Sequence, residues 1–192
     1  PPDSWETPPT SSNYSWQSIV VDTGYNCYPS TVSYVNHYYI NTEEEAYLIT
    51  NKIRLGSGSF PAENLLTYDY AYSGYAAGYD DGFRIDISTD CGATWDSLYG
   101  ASGTDLQTTA YNAYAWHPTC GSWKKDTLNL TNFGLNGETI MIRFVAINDY
   151  GNNFFLDNIK INGNNITPLE NNYLSKNFSL YPNPNNGRFV VE

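Results

Sequence analysis

Phe83, Ile85 and Ile87 alternate with Arg84, Asp86 and Ser88, and a period of two is the mark of a strand buried on one face only. Thr89-Asp90-Cys91-Gly92 then breaks the alternation with turn residues. Asp tolerates turn conformations and Gly supplies positive φ. Ala93-Thr94-Trp95 opens a return strand, so residues 83–95 read as a hairpin. The same grammar recurs along the chain. Strands are expected at 16–21, 31–40, 46–50 (with Ile53 and Leu55 just beyond), 65–75, 83–88, 93–100, 105–110, 123–130, 139–147 and 154–161. About ten short strands at regular spacing, with turn residues between them and no helical period, describe an all-β chain. Sheets of that many strands must curl or pair, which predicts a jelly-roll β-sandwich of two antiparallel sheets. Residues 1–15 read as an irregular lead-in and 16–162 as the sandwich. The Asn-rich stretch 163–177 reads as a linker, and 178–192 as the start of something new.

Nine Lys and Arg face twenty Asp and Glu, for a net charge of −11. A field of that sign repels phosphate backbones and anionic lipid, so neither nucleic acid nor a membrane surface is an expected partner. No window of about eighteen apolar residues exists to cross a membrane as a helix. Pro1-Pro2-Asp3-Ser4 is not a signal peptide, so a leader was removed or the chain is part of a longer one. Eighteen Tyr and five Trp against eight Phe is an unusual choice of aromatics. Both residues bury a ring and keep a polar handle, which suits strands and also suits surfaces that touch sugars or proteins.

The sequence offers no evident active site. Catalysis needs a positioned acid, base or nucleophile. His37 and His117 are the two imidazoles, and no zinc-protease or serine-hydrolase motif surrounds either. Asp80-Asp81 and Glu43-Glu44-Glu45 are paired acids, but adjacency in sequence does not place two carboxylates across a cleft. Solvated loop charge is the plain reading of both runs. Gly56-Ser57-Gly58-Ser59 is a turn, since no phosphate-loop Lys follows it.

Three blocks carry a resemblance. One is Ala46-Tyr47-Leu48-Ile49-Thr50 with Ile53 and Leu55. A second is Leu65 and Thr67-Tyr68-Asp69-Tyr70-Ala71-Tyr72, followed by Asp86-Ile87-Ser88-Thr89-Asp90-Cys91-Gly92-Ala93-Thr94-Trp95. The third is Ile142-Arg143-Phe144 through Tyr150-Gly151-Asn152-Asn153-Phe154-Phe155-Leu156-Asp157-Asn158-Ile159. In this order they resemble the cleaved adhesin domains of gingipains, MAM-like jelly rolls of secreted Bacteroidetes proteins. Near the end, Leu180-Tyr181-Pro182-Asn183-Pro184-Asn185-Asn186-Gly187-Arg188-Phe189 resembles the opening strand of a type A sorting domain of the type IX secretion system. Tyr181, Pro182, Asn183, Pro184 and Gly187 carry that pattern.

These resemblances imply a non-catalytic module, secreted or held at the cell surface after export through the outer membrane by the type IX machinery. Its partner would be carbohydrate or a surface protein, met through exposed Tyr and Trp. The alternative is a spacer or self-assembling domain of a larger cell-surface protein or secreted protease. Resemblance to calcium-bearing jelly rolls implies a structural calcium ion between Asp157 and an early acid such as Glu45, an oxygen-rich set that suits calcium. Asp96-Ser97-Leu98 and Asp126-Thr127-Leu128 resemble Bacteroidetes O-glycosylation sites, at Ser97 and Thr127. Exported proteins form disulfides. The expected pair is Cys91 in the hairpin turn with Cys120, leaving Cys27 free or bonded elsewhere.

Overall fold

The computed structural model describes residues 4–8, 14–40, 44–57 and 64–162, together with 180–181 and 190–191. Ten strands build the sandwich: β1 Gln17–Val21, β2 Ser30–Val35, β3 Glu45–Ile49, β4 Ile53–Arg54, β5 Leu65–Tyr72, β6 Gly82–Ser88, β7 Asp96–Ser102, β8 Lys124–Asn129, β9 Thr139–Ile147 and β10 Phe154–Asn162. One antiparallel sheet has the order β1-β2-β10-β5-β8. The other is β3-β9-β6-β7, with β4 also paired to β9. The expected jelly-roll sandwich is the fold observed. No helix among the described residues is long and apolar enough to cross a membrane.

The alternation in β6 sends Phe83, Ile85 and Ile87 into the core, where they meet Ile142 and Phe144 of β9 and Phe154 and Leu156 of β10. Phe83 joins the two sheets. Its ring stacks 4.8 Å from Phe154 and 6.4 Å from Phe144. β5 contributes Tyr68, Tyr70 and Tyr72 on its inward face. The outward-facing Asp86 is also buried. It is covered by Arg84 and Arg143, whose guanidinium groups donate to it at 2.8 and 2.7 Å. Buried charge is tolerated where it is paired and hydrogen-bonded in this way.

Two departures from the sequence reading share a cause. β2 ends at Val35 and not at residue 40, and β5 ends at Tyr72 and not at residue 75. Their common partner β10 begins at Phe154, opposite Val35 and Tyr72, and a strand cannot outrun its ladder without leaving backbone groups unpaired. The strand expected at 105–110 is instead one helical turn, Gly103–Leu106, followed by a clip onto β5. There the Thr108 N–H donates to Tyr72 O, and Thr108 Oγ1 accepts from the Tyr72 N–H. The sandwich also begins before residue 16. Trp5 stacks on Phe144, Glu6 bridges to Ile49, and Tyr14 is buried in the core.

A second apolar cluster lies on the outer face of the first sheet. Val21, Val32, Tyr34, Ala71 and Phe155 are roofed by Trp116 and Trp123, which belong to the long segment 107–123 between the helical turn and β8. Cys120 of this segment is bonded to Cys27, and Cys91 is a free, exposed thiol. The expected Cys91–Cys120 pairing is therefore corrected. The hairpin turn that carries Cys91 projects from the second sheet. The β1–β2 loop lies against segment 107–123: Thr23 Oγ1 donates to Pro118 O at 2.8 Å and Trp123 Nε1 donates to Thr23 O at 2.9 Å.

Candidate binding surface

Four segments meet at one end of the sandwich: 36–40 after β2, 73–81 after β5, 107–123 before β8 and 148–153 between β9 and β10. Their tyrosines gather there, four of them in ring contact. Tyr38 packs edge-on to Tyr39 at 5.0 Å and lies 6.2 Å from Tyr75, which packs edge-on to Tyr79 at 5.3 Å. The Tyr38 hydroxyl donates to Ala113 O. Tyr111 lies over Gly74, so close that a Cβ on Gly74 would touch its ring. Tyr39 and Tyr114 are 69% and 78% exposed, and Tyr79, Tyr111 and Tyr150 are also exposed. Seven of the eighteen tyrosines stand on these four segments.

A buried polar node holds the segments together. Asp81 is fully buried. Its Oδ1 accepts from the backbone N–H of Asp149 (2.8 Å) and of Gly151 (2.9 Å), and its Oδ2 from the N–H of Asn152 (2.7 Å) and from the Tyr72 hydroxyl (3.1 Å). His37 Nδ1 lies 2.8 Å from the same Oδ2. Burial alone would raise the Asp81 carboxyl, but His37 and the backbone amides outweigh it and hold the group below the ordinary carboxylate range. Gly151 is required by this approach, because a Cβ there would overlap both carboxylate oxygens. Asn152 ties the next segment in: its Nδ2 donates to Asn112 O and Tyr114 O, and its Oδ1 accepts from the Trp116 N–H. Asn153 Nδ2 donates to Trp116 O, and Asn153 Oδ1 accepts from the Tyr38 N–H.

One local device recurs across the surface. Asn36 Oδ1 accepts from the Tyr39 N–H, Asn112 Oδ1 from the Tyr114 N–H, and Asn148 Oδ1 from the Tyr150 N–H. In each case an Asn side chain closes a short turn and presents an exposed tyrosine two or three residues later. The backbone that carries each ring is thus fixed before any ligand arrives.

The residues singled out in the sequence fall elsewhere. Glu45 is on the outer face of the second sheet, where both of its oxygens are engaged by Arg84 at 3.0 and 3.2 Å and Tyr47 donates to it at 2.8 Å. Asp157 is on β10 in the first sheet. It accepts from Ser30 Oγ at 2.9 Å and borders an open cavity of about 400 Å3 with Trp5, Ser18, Thr31 and Lys160. The two carboxylates stand in different sheets, and the fold does not bring them together. Glu45, already neutralised by a guanidinium, does not fit a calcium ligand. No group of three or more His, Cys, Asp or Glu among the described residues could hold a metal. Ser97 and Thr127 are exposed on the edge strands β7 and β8. Tyr181 belongs to a short ladder, Leu180–Tyr181 (β11) against Val190–Val191 (β12). Pro182, Asn183, Pro184 and Gly187 lie outside the described residues.

Tryptophan was expected on the surface beside tyrosine. Trp16, Trp116 and Trp123 are buried, and Trp95 stacks over Arg143 at 4.5 Å. His37 is consumed by the node, and His117 leans on Phe155. The polar node was missed because Asp80-Asp81 reads as loop charge. A usable signal was present all the same, in the crowding of tyrosines and asparagines into segments that lack strand alternation.

Two solved structures share the fold. The K1 cleaved adhesin domain of Lys-gingipain from Porphyromonas gingivalis W83 superposes at a TM-score of 0.60, with 18% identity over 86% of this chain and 94% of that one. The K2 cleaved adhesin domain of Lys-gingipain gives 0.55, with 14% identity over 83% and 90%. The fold is that of the cleaved adhesin domains. This adhesin-type jelly roll is also similar to a carbohydrate-binding module specific for non-crystalline cellulose, at a TM-score of 0.52 with 14% identity over 83% of this chain and 88% of that one. No protein-family profile and no curated protein matches the sequence.

Proposed function

We propose that this domain is a non-catalytic binding module of a secreted or cell-surface protein, and that it takes carbohydrate on the tyrosine surface at the end of the sandwich. The observation that carries the reading is the set of exposed tyrosines on four segments pinned to one another by Asp81, Asn152 and Asn153. Segments held in place lose little entropy on binding, and an aromatic ring offers a flat apolar face with a hydrogen-bonding edge, which suits a sugar. The neighbours named above include adhesin domains and a module specific for cellulose, and both descriptions accord with a binding role. Export by the type IX route belongs to the same proposal and rests on the pattern at 180–189.

The test is a glycan screen on the isolated chain, repeated with Tyr39→Ala and Tyr114→Ala. Each variant is expected to lower affinity about tenfold, equivalent to about 1.4 kcal/mol. Melting should shift little, since exposed substitutions of this kind cost within about 0.5 kcal/mol. Unchanged binding in both variants would remove this surface from the function. A stable dimer in sedimentation, broken by the same substitutions, would favour self-assembly instead.

A further inference from the structure

The four segments that build the tyrosine surface carry no Lys or Arg. Across 36–40, 73–81, 107–123 and 148–153 the acids are Asp80, Asp81 and Asp149. Asp80 is exposed, and its N–H donates to Asp149 Oδ2 at 3.4 Å, which draws the two acids together beside Tyr79 and Tyr150. Lys124, at the start of β8, spends its Nζ on Gln107 O at 2.7 Å. Lys125 is held by Asp69 at 3.0 Å and by the Tyr25 ring. An anionic group docking beside Tyr79 and Tyr150 would be desolvated against Asp80 and Asp149, and the ammonium bonded to these segments, that of Lys124, already donates to Gln107 O. Like charges within a Debye length, about 10 Å at 0.1 M salt, repel, and the net charge of −11 adds to the barrier to approach.

We infer that the ligand of this surface is an uncharged glycan, and that chains bearing uronate, sialate or sulfate groups are rejected. The inference rests on the reading that the tyrosine surface binds carbohydrate, and it names the class. Hydroxyls can donate to the exposed carboxylate of Asp80 and the half-buried one of Asp149 while pyranose faces lie on the tyrosine rings. Asn36, Asn112 and Asn148 act as positioning residues, because each fixes the backbone of one exposed tyrosine.

The experiment measures retention of the full chain by pairs of polymers that share a backbone and differ in charge. Hydroxyethyl cellulose is set against carboxymethyl cellulose, neutral arabinoxylan against glucuronoxylan, and a desialylated glycoprotein against its sialylated form. Each pair is run at 20 mM and 500 mM salt. At least one neutral member is expected to bind, with its anionic counterpart at least tenfold weaker at low salt and the gap narrowing at high salt. Asp80→Lys with Asp149→Lys should narrow the gap at low salt by strengthening retention of the anionic member. Asn112→Ala should weaken neutral binding several-fold with no change in the preference for uncharged chains.

An anionic member bound as tightly as its neutral counterpart at low salt overturns the inference and leaves the carbohydrate reading standing. Retention of polylysine alone, lost at high salt, overturns both in favour of a cationic protein partner. No retention of any polymer by the wild-type chain, with its fold verified by circular dichroism, sinks the carbohydrate reading together with the inference.

Discussion

Asp81 decides how the end of the sandwich is held. A carboxylate in the interior is stable only when its lone pairs are filled, and here three backbone amides, a phenol and an imidazole fill them. Its pKa is lowered on folding. A group whose folded pKa lies below its unfolded value, about 3.9 for Asp, stabilises the protein fully above that value. That contribution is lost as pH falls through the folded pKa. Melting followed from pH 7 downward should therefore weaken below about pH 5, and Asp81→Asn should remove part of that dependence. At pH 7 the same substitution should cost about 3 kcal/mol, since it leaves His37 and at least one amide without a charged partner. For a chain of this size that is a fall in Tm of roughly 6–12 °C. A variant that melts with the wild type at pH 7 would contradict the role given to this residue. Gly151→Ala should act through the same node, as its Cβ has nowhere to go but into the carboxylate.

At the scale of elements, the hairpin turn and the disulfide fix the loops that the strands leave free. In the turn after β6, Ser88 Oγ accepts from the Gly92 N–H at 2.7 Å and donates to Asp90 Oδ1 at 2.7 Å. Asp90 in turn accepts from the Thr94 hydroxyl and amide, and these bonds hold its carboxyl at about 2. Ser88 is buried, so Ser88→Ala should cost about 1–2 kcal/mol, with faster amide exchange at Gly92 as the local sign. The Cys27–Cys120 bond spans 93 residues and pins the β1–β2 loop to the segment that roofs the second apolar cluster. In the chain-entropy account a loop of that length is worth about 4–5 kcal/mol. Reduction, or Cys27→Ser, should lower Tm accordingly, whereas Cys91→Ser should leave melting unchanged. A non-reducing digest should show Cys27 and Cys120 in one linked peptide and Cys91 open to alkylation.

The whole molecule is two sheets closed on an aromatic core, with Phe83 in contact with both. Removing that ring leaves a cavity between Phe144 and Phe154, and Phe83→Ala should cost about 3–5 kcal/mol, read as a lower denaturant midpoint with little change in slope. The sandwich itself was legible in the sequence. Alternation in β6, the apolar residues that surround Arg143 in β9 and the turn residues between strands depend on chemistry within a few residues, and they act wherever the chain is placed. Strand ends were less so: β2 and β5 stop where β10 stops pairing them, and β10 lies about eighty to a hundred and twenty residues away in sequence. Cysteine pairing was not legible either, because it depends on which loops the closed sandwich brings together. The same holds for the tyrosine surface. Composition announces many tyrosines but not that seven of them share one end. Asp81 reads as a solvated acid next to Asp80 until amides 68–71 residues further along the chain close over it. Local patterning, through the period of two and turn chemistry, determined that this chain is a sandwich. Tertiary structure alone decided which loops meet and which acid is buried, because burial and loop proximity are set by partners remote in sequence.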